Sequence, residues 1–300
     1  MPRTPISAAA VSAARIVFAL AFVLCVAAGS ASAQGRSDSA PGKTKNRSRA
    51  SESGLASPVT ATAPTSAPAA AANAVAYYGS WLDDASIVAP GDVWVGLATG
   101  YWRGDSNHQV DAPVTSAAVG INPRLQVGGS ASFYHFQAAD GVSENGLGNF
   151  SLYGKFLVLD PLRAPNAIGL AVTPLLELSP GMDAPVGWAL PVNLETRRGD
   201  VRMYGSAGYF SRGSVFGTVG ADVPVTPVVA ISGTFGLSYA SAGTHQTSFG
   251  VGASMGLTPT SGLFVGLGHT RMPVASGPGG LSVAGGISFL LPQPQTPSRQ

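Results

Sequence analysis

Between Leu147 and Leu159 the chain reads Leu-Gly-Asn-Phe-Ser-Leu-Tyr-Gly-Lys-Phe-Leu-Val-Leu, and alternate residues differ in kind. Phe150, Leu152, Phe156 and Val158 fall on one side of an extended chain. Asn149, Ser151, Tyr153 and Lys155 fall on the other. Successive side chains of a strand point to opposite faces, so this segment has one oily and one polar surface. The alternation returns as far as Phe289, in segments of roughly the ten residues that a tilted membrane strand needs. A soluble domain would carry more charge, which here is 11% of the chain. Charge facing hydrocarbon costs a few kcal/mol per residue, so a lipid-facing surface explains the deficit. After the first residues, no stretch reaches the roughly 18 apolar residues of a membrane helix. Backbone groups in lipid must all be paired, which permits only helices and closed barrels. A barrel remains.

The expected fold is all-β: a transmembrane antiparallel up-and-down β-barrel of about 12 strands over 92–291. Alternation bounded by turn residues places strands near 92–102, 111–121, 125–137, 147–159, 167–179, 190–197, 201–211, 214–223, 228–240, 246–257, 263–271 and 281–291. Ile168, Leu170, Val172, Leu176 and Leu178 share one face, opposite Thr173 and Glu177. Val229, Ile231, Phe235, Leu237 and Tyr239 oppose Ser232, Thr234 and Ser238. Connections alternate too. Asn122-Pro123-Arg124, Arg198-Gly199-Asp200, Thr226-Pro227 and 258–262 are tight, with turn chemistry. Longer links lie at 103–109, 138–146, 180–189 and 272–280, as expected of short periplasmic turns and longer outer loops. Arg212-Gly213 is a short outer link and 160–166 a long inner one. Pro174 interrupts a strand pattern and predicts a bulge or an early end; Pro224 stands just past another strand.

Upstream, Arg3 and Arg15 flank an apolar core at 16–28, and Ala31-Ser32-Ala33 is an A-x-A cleavage site. Residues 1–33 thus read as a secretory signal with mature start at Gln34. Cys25, the only cysteine, lies within it, which excludes disulfides and thiolate sites from the mature chain. The 17 Lys and Arg less Arg3 and Arg15 leave 15 against 15 Asp and Glu, and this neutral balance gives no case for nucleic acid. Residues 34–75, rich in Ser, Ala, Pro and Thr, read as a disordered linker, its basic cluster from Lys43 to Arg49 as a solvated run. Residues 76–91, with Trp81, read as a lead-in or plug, and 292–300 as a polar tail beyond the aromatic Phe289.

Four runs then carry a family pattern: Gly148-Asn149-Phe150-Ser151-Leu152-Tyr153-Gly154-Lys155-Phe156, the stretch from Gly169 to Leu178, Gly205-Ser206-Ala207-Gly208-Tyr209, and Ala284-Gly285-Gly286-Ile287-Ser288-Phe289. From Gly148 to Phe289, about half the chain, the sequence resembles the outer-membrane transporter family of the MetA pathway of phenol degradation. The resemblance implies a porin-like barrel passing small, often hydrophobic, molecules, and supplies no catalytic residues.

No enzyme, cofactor or metal centre is expected. His108, His135, His245 and His269 are scattered, two of them in expected loops, with no nucleophile–base spacing. Gly250-x-Gly252 and Gly266-x-Gly268 lie within strands, with no helix following to bind phosphate, and read as glycines facing a narrow lumen. Charge on the inward set defines the candidate lining: Lys155, Glu177, Glu195, Arg197, Arg202 and Asp222. Mixed signs suit either a selectivity lining or an internal ion network that closes the barrel. Trp94, Tyr101, Trp102, Trp188 and Tyr209 near strand ends suit aromatic girdles. The expected partners are the outer-membrane lipid bilayer, the barrel assembly machinery and an unnamed small-molecule solute. Passive passage leads; a closed structural or adhesive barrel and a soluble periplasmic β-sandwich are the alternatives.

Overall fold

The computed structural model describes residues 84–293 apart from 105–106, 139, 165, 179–185, 212, 241–244 and 272–278. The expected signal, the linker, Trp81 and the tail beyond 293 lie outside the described residues. None of the described residues is helical. The extended segments are β1 (Val93–Arg103), β2 (His108–Asn122), β3 (Leu125–Gln137), β4 (Ser143–Leu147), β5 (Phe150–Leu159), β6 (Ile168–Val172), β7 (Leu175–Leu178), β8 (Val186–Arg198), β9 (Val201–Phe210), β10 (Ser214–Pro224), β11 (Val229–Ala240), β12 (His245–Thr258), β13 (Ser261–Arg271) and β14 (Gly280–Leu291).

Each segment pairs antiparallel with its neighbours, and β14 returns to pair with β1 from Val93↔Leu291 to Arg103↔Leu281. β4 and β5 both pair with β3, and β6 and β7 both lie between β5 and β8. Fourteen segments therefore make twelve staves of one closed barrel. Closure leaves no strand edge unpaired except at β4, which pairs with β3 alone. It also excludes the soluble sandwich, which needs two packed sheets.

The expected alternation appears as alternating exposure. In β11 Ile231 and Tyr239 are exposed while Ala230 and Ser232 are buried. In β8 Trp188, Leu190, Val192 and Leu194 face out, between buried Ala189, Asn193 and Glu195. At one end of the barrel side-chain oxygens hold four turns: Asn122 accepts from the Arg124 amide, Asp160 from Leu162, Thr226 from Val229 and Thr258 from Thr260. Gly199 and Gly213 supply the positive φ of 57° and 83° that the tight links β8–β9 and β9–β10 require.

Four expectations need correction. Residues 143–146, expected in a link, belong to strand β4, and β8 begins at Val186 rather than 190. As the expected strand at 190–197 already did, β8 contains Pro191. Its missing donor is harmless because, by register, it stands opposite Thr173 in the gap between β6 and β7, and its carbonyl accepts the Thr173 amide at 2.9 Å. Pro174 does break its strand, as expected, and Pro224 is the last residue of β10. Trp94 and Trp102 are not girdle residues: register places them on the inner face with Gly96, Ala98 and Gly100. His108 and His245 open β2 and β12 rather than sitting in loops.

Candidate functional site in the barrel lumen

The inner face divides into two halves of different chemistry. On β5 the inward Ser151, Tyr153, Lys155 and Leu157 are all buried, as are Gly187, Ala189, Pro191, Asn193 and Glu195 on β8. On β12 the inward Gln246, Ser248, Gly250, Gly252 and Ser254 are all partly exposed. Register sets the partly exposed Gly266, Ala284 and Gly286 beside them on β13 and β14, flanked on the same face by buried Phe264, Gly268, Thr270, Ser282 and Ser288. A Cβ built on Gly266 would meet nothing closer than the Val251 carbonyl at 3.8 Å. That glycine leaves room.

What fills the buried half is residues 84–90. Pro90 forms a parallel bridge with Gly120, and the Gly91 amide donates to the Gly120 carbonyl at 2.8 Å. A Cβ on Gly120 would run into the carbonyls of Val88 and Ala89, so only glycine admits the segment here. The Val88 amide donates to Gln126 Oε1 at 2.8 Å, and Val88 packs on Trp94 and Ala118. Ala85 packs on Leu157 and Ala171. The segment thus runs from the β1–β2 wall across to β8 and β9, near the end with the tight turns.

There it meets the inward charges. Lys155 Nζ donates to Asp84 Oδ1 at 2.9 Å and to the Ser86 carbonyl at 3.3 Å. Arg202 donates through Nε to Glu195 Oε1 at 2.8 Å, through Nη1 to Asp222 Oδ2 at 3.0 Å, and through Nη2 to Asp84. Ser86 Oγ donates to Glu195 Oε2 at 2.6 Å, and Tyr204 Oη to Asp222 Oδ1 at 3.3 Å. Arg197 Nε stands 3.5 Å from Glu195 Oε1, an ion pair at the cluster's edge. Burying charge is costly unless each group is paired and hydrogen-bonded, and both conditions hold for Asp84, Lys155, Glu195, Arg202 and Asp222, while the buried Arg197 Nε is paired but makes no hydrogen bond.

Four of the six expected lining residues, Lys155, Glu195, Arg202 and Asp222, are therefore brought together, with Arg197 beside them. Glu177 is not: it pairs in register with Ser151 and Gly187 at the far end, half-buried. Asp84 is the member that sequence reasoning missed. Among the described residues no group of three or more His, Cys, Asp or Glu side chains could hold a metal. The histidines lie on the outer face, away from this cluster.

No family model matches the sequence, and no curated protein does. Solved structures do match. An outer-membrane channel from Pseudomonas putida F1 superposes with TM-score 0.55 at 13% identity, over 69% of this chain and 97% of that one. The NanC porin gives 0.48 at 10% identity over 65% of this chain and 98% of its own; the KdgM porin gives 0.47 at 8% over the same shares. The class is thus fixed at the level of fold: a closed antiparallel barrel of the kind seen in an outer-membrane channel.

Proposed function

We propose that this chain is an outer-membrane barrel that lets small uncharged molecules, hydrophobic ones included, cross passively along the wall of β12. One observation carries the reading: every described inward residue of β12 from 246 to 254 is partly open to solvent, and none is charged. A permeant on that wall meets hydroxyls, an amide and glycine, so no charge rejects or traps it. The apolar outer face and the scarcity of charge support a place in the outer membrane, reached through cleavage after Ala33 and the barrel assembly machinery. The four residue runs quoted above support kinship with the MetA-pathway transporters. The chain does no chemistry in this reading; its work is passage.

A second reading keeps the barrel shut. The crossing segment and the buried cluster favour it, because together they close half the lumen. Liposome swelling separates the two. Vesicles holding the folded protein should admit small neutral solutes, phenol and small sugars among them, and exclude larger oligosaccharides. No swelling with any solute, from protein of native heat-modifiable migration, would favour the closed barrel. Fractionation and N-terminal sequencing test the location and the cleavage.

A further inference from the structure

The outer face of the barrel is apolar on most strands, yet at the long-loop end it changes character over one arc. The exposed ends of β7 to β10 carry Leu178, Val186, Trp188, Tyr209 and Val215. The ends of β12, β13, β1, β2 and β3 carry instead His245, His269 and Arg271, Arg103, His108 and His135. All four histidines of the chain are in this set. Register places them on the outer face. Arg103 pairs with His108 and Leu281, and Leu281 with His269. These four therefore form one row across four neighbouring strands, spanning roughly 15 Å at the usual strand spacing. Arg271 stands one pleat above His269, opposite Thr247.

No described outward residue of these strands is acidic: Asp111 and Glu144 belong by register to the inner face and bond Gln109 and Tyr134 there, and Asp140 in the β3–β4 link accepts from the Val142 amide. Aromatic neighbours flank two of the imidazoles: the Tyr101 and His108 rings lie 6.3 Å apart, and those of Tyr239 and His245 6.1 Å. Asn145 Oδ1 bonds His135 Nδ1. Cations on the lipid side of a barrel rim stand where membrane headgroups begin, and arginine suits phosphate in particular.

Building on the outer-membrane reading, we propose that the arc from β12 to β3 is a binding surface for the phosphorylated headgroups of outer-leaflet lipid, with Arg103 and Arg271 as the principal phosphate contacts. The described strand ends on the opposite side, Leu178, Val186 and Trp188, carry no cation.

Native mass spectrometry of the full-length barrel in mild detergent tests this with lipid A as probe. The parent should retain diphosphoryl lipid A at least tenfold better than dephosphorylated lipid A, and about 1 M salt, which shortens the screening length to about 3 Å, should abolish the preference. Arg103→Gln with Arg271→Gln should abolish it too, with native heat-modifiable migration; Arg103→Lys with Arg271→Lys should keep part of it. Equal retention of both lipids by the parent would overturn the proposal, as would an unchanged preference in the double glutamine variant. If that variant does not fold, the parent's preference and its salt dependence decide. Failure of the barrel reading would look different: the parent would not insert into plain phosphatidylcholine vesicles.

Discussion

The β5–β8 wall and the β12 wall face each other across one lumen, and they are built oppositely. The first presents Lys155, Asn193 and Glu195, large polar groups that are buried and paired. The second presents glycine and small hydroxyls that touch solvent. Both obey the same rule of alternation on the outside, so lipid imposes one pattern on the whole ring. The inside is free to differ. Charge is fully buried and paired where a second element, residues 84–90, arrives to complete its bonding, and uncharged residues line β12, where no described segment arrives.

The largest way to break this contrast is to remove the cation at its centre. Arg202→Gln leaves Asp84, Glu195 and Asp222 with too few partners, and breaking such a buried network costs about 3–5 kcal/mol. Loss of the folded band on heat-modifiable gels, or a large fall in unfolding temperature, is expected. A stable variant would mean that the cluster is solvated. Val251→Arg comes next: an arginine facing lipid near mid-strand costs about 2–4 kcal/mol, whereas Ser254→Arg on the open wall should fold and make the conductance anion-selective. The reverse order would put the register wrong by one residue.

A smaller effect is expected at Gly120. Alanine there drives the crossing segment off the β2 wall, at a cost of about 1–3 kcal/mol for overpacking. Bilayer conductance should rise as the buried half opens. A lower conductance would show that residues 84–90 do not obstruct the lumen. Smallest is Glu177→Gln, which stands outside the cluster at the far end and should shift stability by under about 0.5 kcal/mol.

Much of this was legible in the sequence, for a physical reason. Alternation is local, so Ile168 to Leu178 and Val229 to Tyr239 declare their faces without knowledge of their partners. Trp94 and Trp102 were legible as well, since they share parity with Gly96, Ala98 and Gly100 while Val93, Val95 and Leu97 take the other face. Position near a strand end misled where parity would have served. Why Pro191 is tolerated was not legible, because proline's cost depends on which neighbour needs its donor, and that is set by the gap at Thr173 and Pro174. Asp84 could not be found by pattern at all. Its role comes from contacts 71 and 118 residues away, with Lys155 and Arg202. Inward cations near the tight-turn end told that a partner was required, not which residue would provide it.

The central claim is that passage follows the β12 wall and not the β5–β8 wall. Once the signal with Cys25 is removed the chain has no cysteine, so single cysteines can report each wall separately. Ser248→Cys and Ser254→Cys, against Ser151→Cys and Ser206→Cys, should be treated with a charged, water-soluble thiol reagent while conductance is recorded in a planar bilayer. Ser151 and Ser206 are 6% exposed and hydrogen-bonded to Ser130 and Thr218, so they should react slowly and leave the current unchanged. Ser248 and Ser254 should react quickly and reduce it. Rapid block through Ser151 or Ser206 with none through β12, or no current in the untreated parent, would contradict the account.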